Sequence, residues 1–350
     1  MAYTTITDPS AYFQTALWTG DGSTPTITND GNSDLQPDWL WGKNRTGTAD
    51  NHYLIDSTRG TNKYVFSNSN SAEITNAAIS SFNSDGFTLT SDVGLNRSGS
   101  TYVGWQWKAN GGTTASNTDG SITSTVQANT TAGFSIVTYT GNNTGGATIG
   151  HGLGVAPKVV FTKTRAIADN WLVYHEGIGA TKYLTLNTTS ASATSTGAWN
   201  DTAPSSTVVT LGSFDNSNDN DNMVAYCFAE IQGYSEFSSY TGNGNADGPF
   251  VYTGFKPTWV MIKNTIAGED WLIWDVKRDT ANAPGNPMTG RLKANDTIAE
   301  VNGNDIDFLS NGFKIRTDSG YGNGSGNTII YMAFAENPFV ATNGLPTTAR

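Results

Sequence analysis

Val224-Ala225-Tyr226-Cys227-Phe228-Ala229 alternates large and small side chains, and Ile330-Tyr331-Met332-Ala333-Phe334-Ala335 repeats much of that alternation near the other end of the chain. Successive side chains on a strand point to opposite faces, so Val224, Tyr226 and Phe228 share one side and Ala225, Cys227 and Ala229 the other. No position on either face is charged. That predicts a central strand covered on both sides. Val103-Gly104-Trp105-Gln106-Trp107 is a third strand of the same kind.

Each of these strands closes a repeated unit. The units open with an aromatic-Thr-Gly triplet at Trp18-Thr19-Gly20, Tyr139-Thr140-Gly141 and Tyr240-Thr241-Gly242. A proline followed six residues later by a lysine comes next: Pro37 and Lys43, Pro157 and Lys163, Pro257 and Lys263. Apolar strands lie between them, and an aromatic-aliphatic run follows at Tyr53-Leu54-Ile55, Trp171-Leu172-Val173 and Trp271-Leu272-Ile273. Short strands separated by Gly, Asn and Asp turns, without helical periodicity, predict an all-β chain of three tandem antiparallel β-sandwich, jelly-roll-like domains.

The expected organisation is an N-terminal arm (1–16), repeat 1 (17–108), a Gly/Ser/Thr/Asn-rich linker (109–131), repeat 2 (132–233), repeat 3 (234–340) and a C-terminal tail (341–350). The arm and the tail are candidates for docking to a partner.

Composition narrows the function. Charged residues are 14% of the 350, whereas Gly numbers 39 and aromatics include Trp 10, Tyr 14 and Phe 15. Gly, Ser, Thr and Asn disfavour helix, and the aromatics suit half-buried pleated surfaces. A net charge of −11 argues against nucleic acid as the partner, since phosphate binding draws its energy from Lys and Arg. No signal peptide or membrane span is expected. The single Cys227 leaves no disulfide framework and no multi-cysteine zinc site, and no cofactor is expected.

Recurrence separates scaffold from site. Trp39, Trp41 and Trp259 stand where other copies carry Val159 and Phe161, which makes them core residues; Lys43, Lys163 and Lys263 read as scaffold for the same reason. His52, His151 and His175 have no metal-ligand spacing. Asp56 and Arg59 match Asp275 and Arg278 but become His175 and Ile178 in the second copy, as a structural ion pair would allow. Asp215, Asp219 and Asp221 form the nearest thing to a calcium loop, without the glycine and distal glutamate of an EF-hand. No Gly-x-Ser-x-Gly elbow or phosphate-cradling loop occurs and the glutamates are scattered, so no catalytic residue is assigned. Loop aromatics present in one copy, Trp199 and Tyr321, are the candidate faces for stacking on a sugar ring.

In the first unit, Leu35-Gln36-Pro37-Asp38-Trp39, Asn44-Arg45-Thr46, Asp56-Ser57-Thr58-Arg59-Gly60, Ser81-Phe82-Asn83-Ser84-Asp85-Gly86-Phe87 and Asn96-Arg97-Ser98-Gly99-Ser100-Thr101-Tyr102-Val103 resemble a repeated domain of marine and cyanobacterial tailed-phage virion proteins, often labelled tail-fibre-like. The likeness spans roughly residues 12–108 and is weaker beyond. It implies a non-enzymatic virion protein, made in the host bacterial cytoplasm and released by lysis. Its expected partners are other virion proteins and host surface glycans, in a homo-oligomer, a trimer by preference. The chain lacks the heptads of a trimeric shaft, which keeps a capsid decoration or head fibre open. A secreted glycan-binding module or hydrolase is the more distant alternative.

Overall fold

The computed structural model describes all residues except 1–2, 48, 267, 279–286, 342–343 and 348–350. Its secondary structure is almost entirely strand, and its described helices are single turns of three or four residues. No described helix is long and apolar enough to cross a membrane.

The three repeats build the same four-strand core of a sheet. The opening strands are Phe13–Thr19, Phe134–Thr140 and Ser235–Thr241; the second strands are Trp39–Asn44, Val159–Thr164 and Phe255–Asn264. The third strands are Tyr53–Asp56, Leu172–His175 and Trp271–Asp275; the closing strands are Thr101–Trp107, Asn222–Phe228 and Thr328–Pro338. In every unit the spatial order is opening, closing, second, third, all antiparallel. The closing strand is therefore central, as its two uncharged faces require. Register sets the correspondence: Trp107, Phe228 and Phe334 pair with Trp39, Val159 and Trp259. It also shifts one anchor, because Trp41 pairs with Leu54, Phe161 with Val173 and Met261 with Ile273. The true counterpart of Trp171 and Trp271 is thus His52, not Tyr53.

The alternation decides which face goes where. In each unit one face of the main sheet is covered by further strands of that unit, giving three private cores. Separate short sheets cover units one and two, whereas in unit three the main sheet itself continues through Met288–Lys293, Val301–Leu309, Gly312–Ile315 and Phe250–Tyr252 into one nearly closed, barrel-like eight-stranded sheet. Three tandem sandwiches are therefore not what the chain forms. The second of these holds Ala225, Cys227 and Ala229, and the third holds Tyr331, Ala333 and Ala335. The opposite faces are pooled. Trp39, Trp41, Trp105 and Trp107 meet Phe134, Phe161, Tyr226, Phe228, Phe237, Trp259, Met332 and Phe334 in one core shared by all three units. At its centre the equivalent residues Trp107, Phe228 and Phe334 touch edge to face, with centroids 5.6, 6.2 and 6.4 Å apart, around a pseudo-threefold axis. The units are not beads with only private cores, because the heavier face of each sheet is covered by the other two units.

Two segments differ from expectation. The stretch 109–131 is not a free linker: Ser124–Asn129 adds to the outer edge of the second unit's opening strand, and Ala115–Asn117 adds beyond it. Low apolar content there reflects an edge hairpin that buries few side chains. The arm 1–16 is likewise engaged, since the first opening strand begins at Phe13, Ile6 and Phe13 lie in the shared core, and Tyr3 Oη donates to Gly254 O at 2.7 Å. In the tail, residues 342–343 and 348–350 lie outside the described residues.

Candidate functional site

The residues singled out for ligands turn out to be occupied with structure. Trp199 is buried, at the end of the short helix Thr196–Trp199, packed edge to face on Tyr174 in the second private core. Its small neighbours Gly197 and Ala198 let the turn sink into the core, a property a loop-like composition does not reveal. Tyr321 is half-buried, lies under the Arg291 guanidinium at 4.7 Å, accepts from Arg291 Nη1 and donates to Asp305 Oδ1. Neither offers the free flat face expected of a sugar platform. Asp215, Asp219 and Asp221 do not converge: the first is exposed, Asp219 accepts from Thr164 Oγ1, and Asp221 accepts from its neighbour's amide. Among the described residues no group of three or more His, Cys, Asp or Glu could hold a metal ion.

The turn containing them has another role, missed in the sequence. Asn218 is buried and donates to Asn142 Oδ1, Thr144 O and Gly212 O while accepting from Asn142 N. Asn96 and Asn323 do the same work in the other units. The residue before each of these asparagines accepts from the aromatic of the opening triplet: Trp18 Nε1 to Leu95 O, Tyr139 Oη to Ser217 O, Tyr240 Oη to Gly322 O. The triplet glycines follow from the same approach. A Cβ on Gly20, Gly141 or Gly242 would lie 2.0–2.3 Å from the facing carbonyl oxygen. An Asn shortly before every closing strand was the available signal.

Asp56 and Arg59 are an inter-unit lock. Buried Asp56 takes Arg59 Nε at 2.5 Å and, from the second unit, Tyr226 Oη at 2.7 Å. Asp275 takes Arg278 and, from the first unit, Trp105 Nε1 at 2.9 Å. His175, the counterpart in unit two, reaches Tyr331 O of unit three through Nε2 at 3.1 Å. The three contacts run one to two, two to three, three to one. Outside them Glu73 bridges Arg59 and Arg165, and Glu300 bridges Arg278 and Arg45. Burial opposes ionisation of both glutamates, but their arginines outweigh it and hold the carboxyls below the usual range.

Lys43, Lys163 and Lys263 complete the girdle. All are buried, and each ammonium donates to main-chain carbonyls, one of them from the neighbouring unit: Thr297 O, Asn70 O and Thr189 O respectively. Desolvation pulls each down to about 8. The buried histidines are held neutral by desolvation, His175 down at about 4, and burial pushes the Cys227 thiol up to about 12. A thiol that reluctant to ionise is no nucleophile.

Among the described residues a cleft of about 210 Å³ opens between units one and three. It is lined by Phe13, Gln14 and Thr15 of the first opening strand, by the loop Asp30–Asn32, and by Val276, Lys277 and Ala335–Asn337 of the third unit. A second, smaller hollow continues it along Thr15, Ala16, Leu17 and Thr28. The exposed ion pair Lys277–Asp30, 2.7 Å, borders both. Thr15 is 5% exposed and its Oγ1 has no hydrogen-bond partner.

The chain matches the family described as Domain of unknown function (DUF7483) over residues 8–338. It belongs to that family. The match runs through all three repeats without a break, which agrees with one shared core. No curated protein and no solved structure matches the chain.

Proposed function

We propose that the chain is a non-enzymatic structural protein of a bacteriophage virion, exposed on the particle as a tail fibre or appendage. The observation that carries this reading is that the polar groups which could have served chemistry are spent on welding three sandwich-like units about an internal axis. Asp56, Asp275, Glu73 and Glu300 all hold inter-unit contacts. A rigid, disulfide-free, weakly charged β body suits exposure on a particle after folding in a reducing cytoplasm. Three repeats already surround a pseudo-threefold axis within one chain, so a position on or beside a threefold axis of a particle needs no trimer of chains. That consideration favours capsid decoration as the second reading.

Gold labelling of the C-terminus on purified particles tests both. Tail label supports the appendage, label spread over the shell supports decoration, and particles free of label overturn the virion reading. Glycan contact is tested separately on a glycan array. Because Trp199 is core, Trp199→Ala is expected to lower stability by about 3–5 kcal/mol rather than remove a binding face selectively.

A further inference from the structure

The pseudo-threefold repeat says what the open cleft is for. In the second unit, the outer edge of the opening strand is covered by Ser124–Asn129, in register Val126↔Val137, Gln127↔Ile136, Asn129↔Phe134. Gln127 reaches Ser57 and Thr58 of the first unit and the amides of Asn110 and Gly112; Asn129 reaches the carbonyls of Lys108 and Ala109. Moving this arrangement one unit back around the axis turns Ile136 into Thr15, Ser57 and Thr58 into Val276 and Lys277, and Lys108–Asn110 into Ala335–Asn337. Those residues line the cleft. The upper end agrees too: Ser124 Oγ donates to Gly150 O, and the counterpart of Gly150 is Thr28, in the smaller hollow. In the third unit the equivalent edge is packed by the turn Glu176–Ile178. The first unit's edge has neither, and Phe13–Thr19 pairs only with its closing strand among the described residues.

We infer that this cleft is a strand-addition site, taking one extended, uncharged segment of a partner polypeptide antiparallel to Phe13–Thr19 as Ser124–Asn129 lies on Phe134–Thr140. Hydrogen bonds from Lys108 N to Tyr12 O and from Gly20 N to Ser100 O direct the even-numbered residues of the strand inward. The main-chain groups of Phe13, Thr15 and Leu17 therefore face the cleft, where they supply affinity. Half-exposed Leu17 fits an uncharged occupant, and the charges in the lining are already paired, Glu336 with Lys256 and Lys277 with Asp30. The Lys277–Asp30 pair is exposed and therefore cheap to displace. The inference stands whether or not the chain is a virion protein.

The test uses the full chain and a blocked synthetic peptide of sequence 123–130, read by amide hydrogen exchange. Saturable binding with new protection at Thr15 and Leu17 is expected, weakened at least tenfold by Leu17→Pro. That proline removes only an outward N–H of an edge strand, so an unchanged melting temperature is the control. The same peptide N-methylated at the Thr125 and Gln127 positions should not bind, which keeps the test valid if Leu17→Pro misfolds. Absence of protection at millimolar peptide, protection elsewhere, or equal binding by the methylated peptide would overturn the proposal.

Discussion

Lys163 shows how far a single residue type can be carried inward when the backbone supplies its partners. Its ammonium and those of Lys43 and Lys263 donate to main-chain carbonyls of their own unit and of the neighbouring one. Desolvation lowers all three to about 8. The folded state therefore releases these protons before the unfolded state, whose lysines hold them to about 10.4. Between those limits the unfolded chain binds more protons, so stability rises with pH. Above about 10 the sign reverses: buried Tyr139 and Tyr234 are raised by burial, and the unfolded chain loses tyrosine protons first. Urea unfolding is expected to show a midpoint rising from pH 8 to 10 and falling beyond. Lys163→Met should flatten the rise by about a third, and a profile that is level from pH 8 to 10 would contradict the burial of these ammonium groups.

At the scale of the element, the aromatic-Thr-Gly triplet is legible as a repeat anchor, but its cause is tertiary. The aromatic ties the opening strand to the short helix before the closing strand, and the glycine lets the two backbones touch. Gly141→Ala puts a Cβ 2.0 Å from Asp219 O, against backbone that cannot rotate away. A loss of about 2–4 kcal/mol in chemical denaturation is expected, of the kind overpacking produces. Ala at Gly154, which has nothing within 4 Å but a φ of +74°, should cost only about 1 kcal/mol. Equal losses at the two sites would show that the close approach is not what requires Gly141.

For the whole molecule, the shared core predicts joint unfolding. Removing one unit exposes Trp, Phe and Met side chains of the other two and breaks the cyclic contacts of Asp56, Asp275 and His175. Calorimetry of the full chain should give one transition with equal calorimetric and van't Hoff enthalpies. A fragment of residues 132–233 should lack cooperative unfolding altogether. Three resolved transitions would mean that the private cores suffice and the central one is incidental.

The repeat order, the all-β class and the two-faced closing strand were determined by the sequence alone, because alternation and recurring turn residues are local properties of the chain. Trp39 and Trp259 were readable as core for the same reason. Which core they enter was not: period-2 patterning says that a face is covered, never by what. The cover came from other units, Tyr226 over Trp39 and Trp105 against Trp259, each more than a hundred residues away, and the fate of 109–131 and the burial of Trp199 escaped composition for a like reason. Low apolar content marks a linker and an edge hairpin alike, and a tryptophan beside glycine and alanine sinks or stands out according to the shape of the neighbouring sheet. Tertiary structure alone decided these, since only the closing of three sheets about one axis determines which opening-strand edges are filled and leaves that of Phe13–Thr19 open among the described residues.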